Sequence, residues 1–182
     1  MILGTSSKIN VWKNQCFGIC LAFCTITSHA QNLPNLKESS VTSWKEADYA
    51  GSGAVTFNND ELEILMGEQL SGVAWKDNLP GRIDYQIEFM AMKIDGSDFF
   101  CGLTFPYKDD ACSLILGGWG GGVVGISSIN GQDASANETT DYMKFEDDRW
   151  YEIKVRATQD KIVAFLDNRK IVDLNTKDRQ ID

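Results

Sequence analysis

Histidine is nearly absent from the sequence, with one among 182 residues. That residue, His29, lies within residues 1–30, which have the pattern of an export signal. A mature chain without histidine has no Ser-His-Asp or Cys-His catalytic group and no histidine-ligated zinc site. Its chemistry therefore depends on carboxylates, Lys, Tyr, Ser and Thr, backbone dipoles or an oxygen-ligated ion such as calcium.

Long apolar stretches are missing as well. The run CFGICLAFCTIT at 16–27 has about a dozen residues, the length of a signal-peptide core and too short to span a bilayer. Lys8 and Lys13 precede it without any acidic residue, and SHA at 28–30 offers a small-residue cleavage site. A buried N-terminal helix is the alternative. The order of these features predicts a signal peptide at 1–30 and an exported protein, periplasmic, in the cell envelope or extracellular, whose mature chain has no transmembrane segment.

Positive charge is scarce. The sequence has 17 Lys and Arg and 26 Asp and Glu, which gives a net charge of −9. Removal of Lys8 and Lys13 with the signal lowers the net charge by two, to −11. This charge argues against nucleic acid or an anionic membrane as a partner. Two of the acids would suffice for a glycosidase, although the sequence does not indicate which pair converges. A loop calcium ion is an alternative use of the acids, but the chain has no EF-hand spacing, and we assign no cofactor and no metal site.

Helical periodicity is weak, and period-two alternation dominates. Examples are IDYQIEFMAMKI at 83–94 and WYEIKVRA at 150–157, with Asp95-Gly96 as a hairpin signal. Such segments recur with turn signals between them. They predict an all-β, antiparallel, two-sheet jelly-roll sandwich at 53–182, preceded by a polar leader at 31–52.

Glycine is concentrated in GGWGGGVVG at 117–125, which fits G-x-G-x-x-G at Gly120, Gly122 and Gly125. In a dinucleotide site that loop opens a helix. Here β-branched residues follow, and they favour a strand. The run therefore predicts two strands joined by a glycine-lined bend, and no nucleotide ligand.

Cysteine is also scarce after the signal, where only Cys101 and Cys112 remain. A hairpin of 98–105 and 112–118 would put the two directly opposite each other. They could then form a disulfide in an oxidising compartment. The alternative is two small buried side chains.

The same hairpin register divides the side chains between two faces. One face would carry the core residues Phe99, Cys101, Leu103, Phe105, Cys112, Leu114 and Leu116. The other would carry Asp98, Phe100, Gly102, Thr104, Ser113, Ile115, Gly117 and Trp119. Aromatic rings stack on sugar C–H faces while carboxylates and amides bind the hydroxyls, so this second face has the composition of a sugar-binding groove. The alternative is that Trp119 simply covers a core.

Two segments carry a resemblance to a known family: GSDFFCGLTFP at 96–106 and LGGWGGGVVGISS at 116–128. With DDRWYEIKVRAT at 147–158 and IVAFLDNRKIVDL at 162–174, the chain from 62 to 174 resembles the exported bacterial 3-keto-disaccharide hydrolase domain family. The resemblance implies a concanavalin A-like jelly roll that acts on carbohydrate and has further strands, missing here, after Asp182. The Glu-x-Asp-x-x-Glu motif of the glucanases in that superfamily is absent, so the catalytic residues are unknown.

These observations predict a carbohydrate ligand contacted by Asp98, Trp119, Asn137 and Glu138. The first hypothesis is a glycoside hydrolase that acts on (3-keto) sugars with carboxylates. The alternatives are a non-catalytic, lectin-like glycan-binding module of the envelope, and a structural envelope domain whose face is buried against a partner.

Overall fold

The computed structural model describes residues 2–3, 7–10, 43–58, 61–76 and 81–182. In chain order its strands are β1 (Ile2–Leu3), β2 (Ser7–Asn10), β3 (Trp44–Glu46), β4 (Val55–Asn58), β5 (Glu61–Ile64), β6 (Ser71–Trp75), β7 (Tyr85–Lys93), β8 (Cys101–Tyr107), β9 (Asp110–Gly117), β10 (Val123–Ser127), β11 (Asp141–Tyr142), β12 (Trp150–Thr158), β13 (Lys161–Leu166) and β14 (Arg169–Asn175). One four-residue helical turn, α1 (Gly118–Gly121), lies between β9 and β10.

The described strands form two antiparallel sheets of seven strands each. The first sheet has the order β11-β10-β9-β8-β1-β6-β3, and the second has the order β14-β13-β12-β7-β2-β5-β4. Buried side chains of both sheets form one main core, so the sheets pack face to face. The prediction of an all-β antiparallel sandwich is confirmed.

Alternation along the strands accounts for this core. In β12, Tyr151, Ile153, Val155 and Ala157 are buried, while the residues between them are partly or fully exposed. Where the sheets meet, the rings of Phe100 and Tyr151 have centroids 5.5 Å apart.

Three strands come from residues before position 53, where the sequence predicts the domain to start. β1 lies between β6 and β8, and β2 lies between β5 and β7. The residues of β1 and β2 belong to the predicted signal peptide. β3 belongs to the predicted polar leader and pairs with β6. The apolar run at 16–27 and the cleavage site at 28–30 lie outside the described residues, so the signal peptide stays a prediction. Within the described ranges no helix has the length and apolar character needed to cross a membrane.

The prediction of a hairpin at Asp95-Gly96 is wrong. Gly96 does adopt the positive φ of a turn, at 100°. However, β7 before it belongs to the second sheet and β8 after it belongs to the first. The turn therefore carries the chain from one sheet to the other.

The predicted disulfide between Cys101 and Cys112 does not form, and both cysteines are free and buried. A hairpin closed over 106–111 already pairs Cys101 with Leu116, and β8 and β9 keep that same register to the pair Tyr107 and Asp110, so the expectation that the two cysteines face each other was a miscount of the register. This register puts Cys112 opposite Phe105, four positions along the strand from Cys101. Burial raises the pKa of each thiol to about 12. The two cysteines are therefore small side chains buried in the core, which is the alternative to the disulfide.

Candidate functional site

The glycine run forms a bend between β9 and β10, as predicted. The backbone has positive φ at Trp119 (48°), Gly120 (86°) and Gly121 (89°). Residues 119 and 120 depart from helical angles even within α1, and β10 begins at Val123. The bend does not open the long helix that a dinucleotide fingerprint needs at this point.

The two central glycines of the bend have different surroundings. A Cβ added to Gly121 would lie 2.5 Å from the carbonyl oxygen of Ser97, so the backbone packs too closely there for any side chain. A Cβ added to Gly120 would meet no atom within 4 Å. The bend is therefore closed against Ser97 and open at Gly120, the residue directly after Trp119.

Asp98 holds this bend in place. Its Oδ1 accepts hydrogen bonds from the backbone N–H of Phe99 at 2.8 Å and from that of Gly120 at 2.9 Å. The structure thus brings the predicted ligand residues Asp98 and Trp119 together, because Gly120 follows Trp119. Among the described residues Oδ2 of Asp98 has no hydrogen-bond partner, so one carboxylate oxygen stays available at the surface.

Phe99 and Phe100 exchange the faces predicted for them. Phe99 has a φ of 47°, which reverses the alternation just before β8 begins. Phe100 is consequently 1% exposed in the main core, and its ring centroid lies 5.0 Å from that of Phe145. Phe99 packs instead against Ile115 and Val123.

The rest of the predicted core face is correct, from Cys101 to Phe105 in β8 and from Cys112 to Leu116 in β9, where every second residue joins the main core. On the opposite side, which we call the outer face of the first sheet, Ile115, Val123 and Ala134 form a small buried group with Phe99 packed against it. We call this group the outer cluster.

Trp119 lies over the outer cluster. Its ring centroid is 5.6 Å from that of Phe99, with the two planes inclined by 38°. The residue is 44% exposed and does not belong to the main core, so the alternative that Trp119 covers a core remains only for the small outer cluster. A large aromatic side chain supported from below and open to solvent is suited to stacking on a ligand.

Asn137 organises the loop at 128–140. Its Nδ2 donates to the carbonyl oxygens of Ile126 and Asp133, each at 2.7 Å, and to that of Gln132 at 3.1 Å. Its Oδ1 accepts from the N–H of Thr139 at 2.9 Å and from the hydroxyl of Thr139 at 2.6 Å. These bonds tie the loop to β10, so Asn137 contributes chiefly by positioning the backbone around it.

Glu138 is bound to a neighbouring segment. Its Oε1 accepts from Nε of Arg179 at 2.6 Å, and this hydrogen bond holds the pKa of the carboxyl group below its usual range. The loop that carries Asn137 and Glu138 reaches the Trp119 region through Ala134, which packs into the outer cluster. The four predicted ligand residues therefore form two pairs, Asp98 with Trp119 at the bend and Asn137 with Glu138 in the loop.

Tyr142 is a surface aromatic that sequence reasoning missed. It lies in β11, directly opposite Val123, and it is 72% exposed. Because β11 has only two residues, no alternation indicated a strand or a face for it.

The carboxylates of the described residues do not form a metal site. No group of three or more His, Cys, Asp or Glu in those residues lies close enough together to hold a metal ion. Apart from Glu138, Asp173 is the described carboxyl group with a shifted pKa, and its pKa is lowered by hydrogen bonds from Lys161 and Lys170.

Comparison with known proteins finds no relative of this chain. No protein-family model, no curated protein and no solved structure matches the chain. The resemblance to the 3-keto-disaccharide hydrolase domains thus remains a prediction that rests on the residues quoted for it.

Proposed function

We propose that this protein is an exported carbohydrate-binding domain with a concanavalin A-like jelly-roll fold, and that Trp119 at the glycine bend is its sugar-stacking residue. The observation that carries the proposal is the exposed ring of Trp119, supported by Phe99, next to the open space at Gly120. The sequence pattern of residues 1–30 supports export.

The chemistry of the bend suits a sugar. The C–H groups of a pyranose ring form an apolar face that packs against an indole ring, while its hydroxyls need polar partners at the rim. Oδ2 of Asp98 is such a partner, since Oδ1 is occupied by the N–H groups of Phe99 and Gly120. The glycine beside the ring leaves room for a ligand to approach, as a larger residue would not.

Binding is favoured over hydrolysis by the state of the carboxylates. Glycoside cleavage needs two carboxyl groups on opposite sides of the scissile bond, one of them an acid with a raised pKa. Asp98 fastens the bend, and Glu138 is paired with Arg179, which lowers its pKa. Hydrolysis of a 3-keto-glycoside, the activity implied by the resemblance, is therefore the second proposal, with Asp98 as its carboxylate because Asp98 binds the backbone directly after Trp119.

A glycan array followed by calorimetric titration tests the proposal. We expect Trp119→Ala to weaken binding of the array-selected glycan by about tenfold, because the lost stacking and burial are worth on the order of 1–2 kcal/mol. The control is Met66→Ala, which shortens another exposed apolar side chain, 57% exposed, on the segment after β5. Equal affinities of the Trp119→Ala variant and the unaltered protein would remove the basis of the proposal.

The same protein preparations separate binding from hydrolysis. Incubation with a 3-keto-glucoside and chromatography of the products measures turnover directly. Turnover that Asp98→Asn abolishes while binding persists would favour the hydrolase. We expect binding without product.

A further inference from the structure

Tyr142 presents its ring on the outer face of the first sheet. In an antiparallel pair, residues directly opposite each other project to the same side, and Tyr142 is opposite Val123 of the outer cluster. The next residue, Met143, packs against the main core, as alternation across the sheet requires. Tyr142 and Val123 therefore share a face.

Trp119 stands above the same face. Gly118, the residue before it, forms a bridge with Val123, and Phe99 beneath the Trp119 ring belongs to the outer cluster with Val123. Val123 thus lies between the two exposed aromatic residues.

The spacing of the two residues follows from the ladder. Gly118, Val123 and Tyr142 lie on three adjacent chain segments, and neighbouring strands are about 4.8 Å apart, so Tyr142 is about 10 Å from Gly118, the residue that precedes Trp119. One pyranose ring cannot stack on both side chains at that separation. No side chain rises from Gly122 between them, and its backbone groups are used within the sheet, since its N–H donates to the carbonyl oxygen of Gly118 and its carbonyl oxygen accepts from the N–H of Met143.

We infer that Tyr142 is a second stacking subsite, and that the site takes an oligosaccharide whose successive sugars have flat apolar faces, as in a β-1,4-linked glucan. This inference rests on the proposed carbohydrate function. Trp119 holds one sugar and Tyr142 holds another farther along the chain, over the surface of Val123 and Gly122. The phenol hydroxyl of Tyr142 supplies a hydrogen bond to a sugar hydroxyl at the sheet edge.

Calorimetric titration with cello-oligosaccharides, from cellobiose to cellohexaose, tests the inference. We expect Tyr142→Ala to weaken cellohexaose binding by about tenfold, while leaving the affinity for cellobiose within about twofold of the unaltered protein, since the short sugar occupies the Trp119 subsite alone. Tyr142→Phe keeps the ring and should bind cellohexaose within about threefold of the unaltered protein, because only an exposed hydrogen bond is lost. Tyr142 is 72% exposed, so its truncation should leave the thermal unfolding temperature nearly unchanged.

The outcomes separate this inference from the proposed function. If Trp119→Ala weakens binding of every sugar and Tyr142→Ala weakens none, the second subsite is wrong and the carbohydrate function stands. If the unaltered protein binds other array glycans through Trp119 but not cellohexaose, the inferred glycan class is wrong. If neither aromatic substitution changes the affinity for any glycan, both proposals are wrong.

Discussion

Alanine substitutions at Gly120 and Gly121 should have clearly different effects, although the two residues are adjacent. Both have a left-handed backbone, with φ of 86° and 89°. Alanine in that conformation costs about 1–2 kcal/mol. At Gly120 this conformational cost is the whole expected loss of stability, because an added Cβ meets no atom within 4 Å.

At Gly121 a steric penalty is added, since the Cβ would lie 2.5 Å from the backbone oxygen of Ser97. Relieving such an overlap by moving the backbone costs about 1–3 kcal/mol more. We therefore expect a loss of about 1–2 kcal/mol for Gly120→Ala and about 2–5 kcal/mol for Gly121→Ala. In a chain of this size each kcal/mol lowers the unfolding temperature by about 2–4 °C.

Urea unfolding followed by circular dichroism measures both variants in one assay. Gly120→Ala should also weaken glycan binding, because its methyl group occupies the open space beside Trp119. Equal stabilities of the two variants, or a more stable Gly121→Ala, would refute the description of a bend closed on one side and open on the other.

Four further predictions concern other parts of the chain. Cys101 and Cys112, with pKa values near 12, should react with a thiol reagent at pH 8 only after denaturation, and reducing agent should leave the unfolding temperature unchanged. Tyr107→Phe should cost about 1–3 kcal/mol in urea unfolding, because the buried tyrosine hydroxyl bonds the Thr176 hydroxyl at 2.6 Å. Asn137→Ala should make the backbone amides of the 128–140 loop exchange faster with deuterium, because the bonds that tie the loop to β10 are lost. A chain of residues 31–182, which the predicted signal cleavage would leave, lacks β1 and β2 and should have a lower urea midpoint than the full chain.

The sheets and the bend could be predicted because their signals are local. Alternation along 83–94 and 150–157 indicated β7 and β12, and β-branched residues after the glycines indicated a strand in place of a helix. Each of these features depends on residues within a few positions of one another.

The faces of Phe99 and Phe100 could not be predicted, since they depend on a single backbone angle. The pairing of β8 with β9 was within reach of the sequence, because a hairpin closed between Phe105 and Cys112 has the same register as the observed two-residue turn. The positive φ of Phe99 falls on a residue type that rarely adopts it. Tyr142 escaped notice because its position is set by pairing with β10, not by its own short strand.

Saturation-transfer NMR on the array-selected glycan tests most directly the claim that a sugar stacks on Trp119. We expect the strongest transfer to reach the C–H protons of one face of a sugar ring, and Trp119→Ala to abolish that transfer while the variant keeps the circular dichroism of the folded protein. Transfer of the same strength and pattern in the Trp119→Ala variant would contradict the claim.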